Sequence, residues 1–399
     1  MGTEAIVVFT AVVGARFLVP LLIPRFPLPA IVAALVLDGM DQTIFQWFGY
    51  DPPGYQGYDK AMDVYYLAIA YLTTLRNWTS RPAVDIARFL YFYRLVGVVA
   101  FELTEWRPLL LIFPNTFEYF FIAYEIVRLR RDPTRYQWRF WLYTAAAIWI
   151  FVKLPQEYWI HIAQLDVTDT IAEWPWASFA VACLAAGLGV AAWFWVRPRL
   201  DAADWPWRFR ADPLPVEMDT VAERNQWVAT HGRLLSVDTA EKVFLVGLLV
   251  VIFAQVLPEL RSTNLELFIG SAILVTVNAA VSLWVARGAR GVDSKLVAFG
   301  ARVIMNVGLV LLADWLLRRE NGDMNEVAAL FFVLLLSLLT LLDDRYRPVH
   351  DFRFATGQPA ARPPGALPQP AGPPASSPPD AISTAPAPDD RPRPGGAPE

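Results

Sequence analysis

The sequence predicts an all-α polytopic transmembrane bundle of about eleven helices, with the N-terminus outside and the C-terminus inside. Three observations predict it. The 399 residues are 55% hydrophobic and only 18% charged, with mean hydropathy +0.35, too little polar surface to cover a water-soluble globule of this length. Apolar runs close to the ~20 residues that cross ~30 Å of hydrocarbon recur along the chain, bounded by charge or proline. Lysine and arginine, finally, gather in every second connection.

In order, the runs are 4–23, 29–48, 60–76, 83–106, 108–128, 138–154, 176–196, 242–258, 264–286, 296–317 and 325–342. The first has no basic residue before it and no Ala-x-Ala site after it, so it is expected as a retained helix and not a signal peptide. The third has the shortest apolar core, Val64 to Leu75; were it re-entrant, every later segment would change sides. With the N-terminus outside, the inward connections collect 22 basic residues, including Arg76, Arg81, Arg128, Arg130, Arg131 and Arg135. The outward ones hold 5: Lys60, Arg107, Arg261, Arg318 and Arg319. The longest outward connection, 155–175, mixes aromatics with Glu157, Asp166, Asp169 and Glu173 and reads as an interfacial helix over the outer mouth.

Four regions follow from this reading. Residues 1–196 carry seven helices and most of the intramembrane charge. Residues 197–241 form a cytoplasmic loop, in which Trp205-Pro206-Trp207-Arg208 suits the headgroup zone and Val216 to Leu235 reads as a surface helix. Residues 242–345 hold apolar helices expected as lipid-facing scaffold. Residues 355–399 contain 14 of the 32 prolines and almost no large apolar side chain, a composition expected to stay disordered in the cytoplasm.

Charge inside the runs carries the functional signal. Arg16, Arg94, Lys153 and Arg302 lie there with Asp38, Asp41, Asp63, Glu102, Glu118, Glu125 and Asp314. Each unpaired charge at the membrane centre costs roughly 2.5 to 3.5 kcal/mol, so these groups are expected to face the bundle interior. Helical spacing places Asp59, Asp63 and Tyr66 on one face, Asn115, Glu118 and Glu125 on another, and Arg94 with Glu105 on a third; Asp38, Asp41 and Gln42 cluster. Two readings result. In one, Asp38, Asp41, Asp63, Glu102 and Glu118 line an outward-opening cavity that binds a solute or relays protons, with Arg94 and Lys153 as counter-charges. In the other, Arg16 with Asp38 and Arg94 with Glu118 are neutral pairs that fix helix order. Arg302 and Asn306, one turn apart, read as an interhelical clamp. Glu157 and His161, four apart at the outer mouth, could share a ligand or pass a proton, although two ligands do not make a metal site.

Several classes are excluded. Cys183 is the only cysteine and His161, His231 and His350 the only histidines, which leaves no intrachain disulfide, thiolate cluster or His-rich metal centre. A net charge of −4 with scattered basic residues does not fit nucleic acid. No phosphate-binding loop, nucleophile elbow, zinc-protease pair or dinucleotide fingerprint occurs. Asp38-Gly39-Met40-Asp41 followed by Asp59-x-x-x-Asp63 invites comparison with the paired-aspartate signature of CDP-alcohol phosphotransferases. Gln42-Thr43 stands where that family has Ala-Arg, that family's spacing is shorter and its site faces the cytoplasm, so membership is rejected. What survives is chemical: four outer-side aspartates could bind a divalent cation, and no other cofactor is expected.

The leading expectation is therefore a plasma-membrane transporter or binder of a cation or small polar solute. The alternatives are a metal-dependent membrane enzyme acting on a lipid-linked substrate at the outer leaflet, through Asp41, Asp63, Glu157 and His161, and a structural or regulatory component whose Pro-rich tail recruits a cytoplasmic protein. Abundant proline and alanine point to a GC-rich bacterial source.

Overall fold

Proline sets many of the helix boundaries. The computed structural model describes residues 3–48, 55–163, 203–256, 264–287, 300–308 and 326–356, with the single positions 176, 179, 183 and 187. Helix α1 (Thr3–Leu18) tightens at Pro20 into a 3-10 turn, Val19–Leu22. Helices α2 (Pro27–Trp47) and α4 (Arg81–Thr104) carry proline in their first turn, where its missing N–H leaves no bond unmade. Between them runs α3 (Tyr55–Asn77). Glu105 closes α4 in the left-handed region at φ 53°, so it lies past the helix and not on the face predicted to join it to Arg94.

The fifth run is not one continuous helix. It forms α5 (Pro108–Ile112) and α6 (Thr116–Arg128), separated by Phe113, Pro114 and Asn115, because Pro114 cannot donate into a continuing helix. Helix α7 (Trp138–Ile148) continues through wide π turns at Trp149–Lys153 and Tyr158–Ile162, on either side of α8 (Leu154–Glu157), which carries Pro155. The predicted outer-mouth helix thus begins as an extension of α7; residues 164–175, and most of the seventh run, lie outside the described residues.

Further along come α9 (Val221–His231), α10 (Val237–Val256), α11 (Asn264–Arg287), a helical stretch at 300–308, and α12 (Glu326–Thr356). The α9 start is a capping box: the Thr220 hydroxyl accepts from Glu223 N–H at 3.2 Å, and the Glu223 carboxylate accepts from Thr220 N–H at 2.8 Å. Helix α9 falls within Val216 to Leu235, the segment expected as a surface helix. Helix α12 runs past the predicted start of the tail at 355; residues 357–399 are not among those described.

Every element among the described residues is helical. Three segments are long and apolar enough to cross a membrane: Pro27–Trp47, Pro108–Arg128 taken across its break, and Leu265–Arg287. Their outer surfaces fit that role. Helix α2 exposes Val32, Val36 and Met40 at four-residue spacing, and α11 exposes Leu265, Ile269 and Ile273 likewise.

The core lies around α3 and α10. Ala68 to Leu72 are wholly buried, with α1, α2, α4, α6, α10 and α12 packed around α3. Its short apolar run therefore belongs to the most enclosed helix, whose remaining length carries polar side chains that meet partners inside the bundle. The apolar stretch Phe244 to Phe253 was expected to face lipid; Phe244 is exposed, but Leu245 to Phe253 are all buried. A helix that is apolar all round fits a protein interior as well as lipid, and here neighbouring helices surround it.

Backbone carbonyls receive the charged groups at one end of the bundle. Arg76 and Asn77 donate to Pro24 O at 3.0 and 3.1 Å, and Arg353 of α12 donates to Trp78 O at 2.8 Å. Trp78 stacks on Tyr124, ring centroids 3.8 Å apart, and donates Nε1–H to Glu125 at 2.9 Å; Arg128 answers the same carboxylate at 2.6 Å. Trp205 is turned inward and donates to Arg128 O at 3.0 Å, whereas Trp207 is exposed.

Candidate functional site: an acidic cluster beside a broken helix

Asp38 and Asp41, three apart on α2, and Asp59 and Asp63, four apart on α3, present two pairs of carboxylates to the same side chain, Arg16 of α1. Arg16 Nη1 donates to Asp41 and, at 2.7 Å, to Asp59; Nη2 donates to Asp38 and, at 2.8 Å, to Asp63. Arg16 and Asp41 are buried, while the Asp38, Asp59 and Asp63 side chains remain 23, 33 and 39% exposed. The cluster is thus sealed at Asp41 and open at the other three. Among the described ion pairs, one guanidinium against four carboxylates gives a formal charge of −3 when all are ionised. Like charges this close resist simultaneous ionisation, so protons or a cation must offset the excess.

One carboxylate oxygen each from Asp38, Asp59 and Asp63 lies within 4.8 Å of the other two. Hard cations such as Ca²⁺ take oxygen ligands at about 2.3–2.6 Å, so a small closure brings the three oxygens onto one ion.

One turn beyond Asp63 on the same face, Tyr66 links this cluster to a second. Its hydroxyl donates to Glu118 Oε1 at 2.6 Å, and Asp38 and Asp63 both act electrostatically on it. Glu118 sits in the first turn of α6, where the helix dipole favours an anion. It also accepts from Asn115 Nδ2 at 3.0 Å and faces Lys153 Nζ at 4.0 Å; that ammonium lies over the Tyr119 ring, 4.1 Å from its centroid.

The break between α5 and α6 frees backbone groups, and neighbouring side chains take them up. Arg94 and Tyr93 of α4 donate to Phe113 O at 2.9 Å and Ile112 O at 3.0 Å, while Asn115 N–H donates to Glu157 at 3.1 Å. Gly97 makes the approach possible, since a Cβ there would stand 2.1 Å from Phe113 Cβ.

Of the sequence-derived site residues, Asp38, Asp41 and Asp63 come together, and Glu118 adjoins them through Tyr66. Glu102 is elsewhere, paired with Lys60 at 3.0 Å. Of the counter-charges, Lys153 faces Glu118, but Arg94 serves the helix break and makes no ion pair with it. Glu157 is buried at the break; the side chain of His161 lies outside the described ones. Arg16, the central cation, was paired with Asp38 in one of the two sequence readings; it meets Asp41, Asp59 and Asp63 as well. Asp59 and Tyr66 were legible as sharing a face with Asp63, but no spacing rule could reveal that their helix turns that face toward Arg16.

A second charged network lies at the opposite end and has a different balance. Lys242 pairs with Asp343 at 2.7 Å and with Asp344, and Arg302 pairs with Asp344. Arg347 reaches Asp343 at 2.8 Å, Glu241 at 3.0 Å and Asp238 at 3.4 Å, and Arg88 reaches Glu241 at 3.4 Å. Four cations meet four acids here, so the network is formally neutral. Asn306 bonds Asn278 and Ser337, each at 2.8 Å, and Arg302 donates to Ser282 at 2.9 Å, as a clamp requires.

Comparison with protein-family models, with characterised proteins and with solved structures finds no match to this chain.

Proposed function

We propose that this chain is a bacterial plasma-membrane protein of about eleven spans, N-terminus outside, that binds and moves a cation or small polar solute through the Arg16 cluster. The carrying observation is the stoichiometry of one arginine to four aspartates, three of them partly exposed. A cationic solute entering from the more exposed side meets Asp38, Asp59 and Asp63, and its charge replaces the excess that protons would otherwise offset. Tyr66 and Glu118 extend the polar path to the broken helix, the kind of interruption that transport folds tolerate where backbone lines a site. The 22-to-5 distribution of basic residues supports the orientation, and the exposed apolar stripes on α2 and α11 support lipid as the solvent.

The test is cation binding and uptake by the full-length protein in liposomes, comparing wild type with Asp38→Asn, Asp63→Asn and Glu118→Gln. Binding of Ca²⁺ or Mn²⁺ is expected to weaken about tenfold or more in the two aspartate variants, and uptake to fall in all three, with helicity retained. Wild-type binding and uptake in folded aspartate variants would remove the site. The three convergent aspartate oxygens also favour a metal-dependent enzyme as second reading. Turnover of a lipid-linked substrate that stops on chelation, without solute uptake, would select it.

A further inference from the structure

A cavity of about 660 Å³ lies at the end of the bundle that holds the neutral network, enclosed by α9, α10, α11, the stretch 300–308 and α12. This size suits a lipid headgroup with part of its chains. Its walls are largely apolar, with Val228, Leu234, Val281 and Leu283 among them, while its charged lining holds Lys242 and four arginines against Asp238, Asp343, Asp344 and Asp351. Three of these matter. Arg345 and Arg233 make no ion pair among the described residues, and Arg345 is half-buried, with Arg302 repelling it. Arg302, its side chain nine-tenths buried, spends Nη2 on Ser282 and Asp344 and leaves Nη1 with no partner. Lys242 and Arg347, which also line the cavity, are neutralised by their acids. Asp351 is engaged by His350, so a half-buried arginine, an exposed arginine and a spare guanidinium nitrogen beside apolar walls leave room for an anion that carries hydrocarbon.

We propose that this cavity binds an acidic phospholipid, with its phosphate on Arg345, Arg302 and Arg233 and its acyl portion along Val228, Leu234 and Leu283. Arginine binds phosphate through paired N–H donors, and basic pockets between helices on the cytoplasmic side suit anionic headgroups. A soluble phosphate would satisfy the arginines but leave the apolar walls unused; a zwitterionic lipid would cover the walls but supply no net charge. The site is distinct from the Arg16 cluster and does not depend on cation binding there, but it rests on the proposed membrane embedding and orientation.

The experiment uses full-length protein in dodecyl maltoside, titrated with dioleoyl phosphatidylglycerol, dioleoyl phosphatidylcholine or inorganic phosphate. Bound lipid is read by native mass spectrometry and stabilisation by thermal unfolding. Phosphatidylglycerol is expected to bind at least tenfold tighter than phosphatidylcholine and to raise the unfolding temperature, with inorganic phosphate doing neither. Arg345→Gln, which breaks no ion pair and so tests the site in a folded protein, is expected to reduce phosphatidylglycerol binding about tenfold. Val228→Trp, which fills the apolar part, is expected to do the same, while Arg81→Gln, outside the cavity, leaves binding unchanged. Equal binding of the two lipids, undiminished binding by Arg345→Gln, or stabilisation by inorganic phosphate matching that by the acidic lipid would each overturn the proposal.

Discussion

Replacing Arg16 by methionine keeps length and apolar bulk but removes the guanidinium that four aspartates share. The cost can be apportioned from exposure. Asp41 is wholly buried and would lose its guanidinium partner, and breaking a buried pair costs about 3–5 kcal/mol. Asp59 and Asp63 are a third or more exposed, and their losses are about 0–1 kcal/mol each, screened by solvent. Most of the destabilisation therefore comes from Asp41. Arg16→Met should lower stability by several kcal/mol, and Asp41→Asn in the same chain should restore much of it, giving a coupling of at least about 2 kcal/mol in a double-mutant cycle. Tryptophan fluorescence during unfolding in detergent measures both. Cation binding, by contrast, should persist or strengthen in Arg16→Met, because Asp38, Asp59 and Asp63 remain and the cluster has lost its competing cation. Additive costs of the two substitutions, or loss of cation binding with the arginine while the protein stays folded, would refute the reasoning.

Gly97→Ala should destabilise by about 1–3 kcal/mol through collision with Phe113 and should reduce uptake by moving the helix break. Gly14→Ala in α1, with nothing within 4 Å, should be neutral or slightly stabilising; equal effects on unfolding temperature would contradict the packing assignment. In the neutral network, burial pushes the Asp343 and Asp344 carboxyls up, yet Arg347 and Lys242 beside Asp343, and Lys242 and Arg302 beside Asp344, hold both below the usual carboxylate range. Depressed carboxyls stabilise fully above their unfolded pKa near ~4 and lose that contribution as pH falls below it. Unfolding temperature should therefore show no step from this network between about pH 5 and 8 and should drop under about pH 4; a step near pH 6 that Asp343→Asn abolishes would reverse the sign.

The helices were legible because proline and apolar length act locally. Pro27, Pro82 and Pro108 mark real starts, and the apolar runs at 29–48, 242–258 and 264–286 fall on α2, α10 and α11. What local rules could not give was which neighbour each face meets. Leu245 to Phe253 is apolar all round in either lipid or protein, so its burial depends on α3, α4 and α11 packing against it. The break at Pro114 was in the sequence as a proline inside an apolar run, but hydropathy averages over it. The acidic faces of α2 and α3 followed from three- and four-residue spacing; their meeting at one arginine needed the tertiary arrangement. Arg94 had the right depth for Glu118, and the carbonyls freed by the break took it instead.

The two charged networks of one chain bear differently on the alternatives that spacing left open. Burial penalises charge at both ends, so a network that only holds helices together should approach neutrality, and the Lys242–Arg347 network does so with four acids and four cations. At the other end a single aspartate would suffice to hold Arg16. Three further carboxylates add mutual repulsion with no second cation among the described ion pairs, and Asp38, Asp59 and Asp63 remain reachable from solvent. Such an arrangement is destabilising as a clamp and favourable only when positive charge arrives from outside it. The excess of acid over base is thus the observation on which the proposed cation-binding role rests.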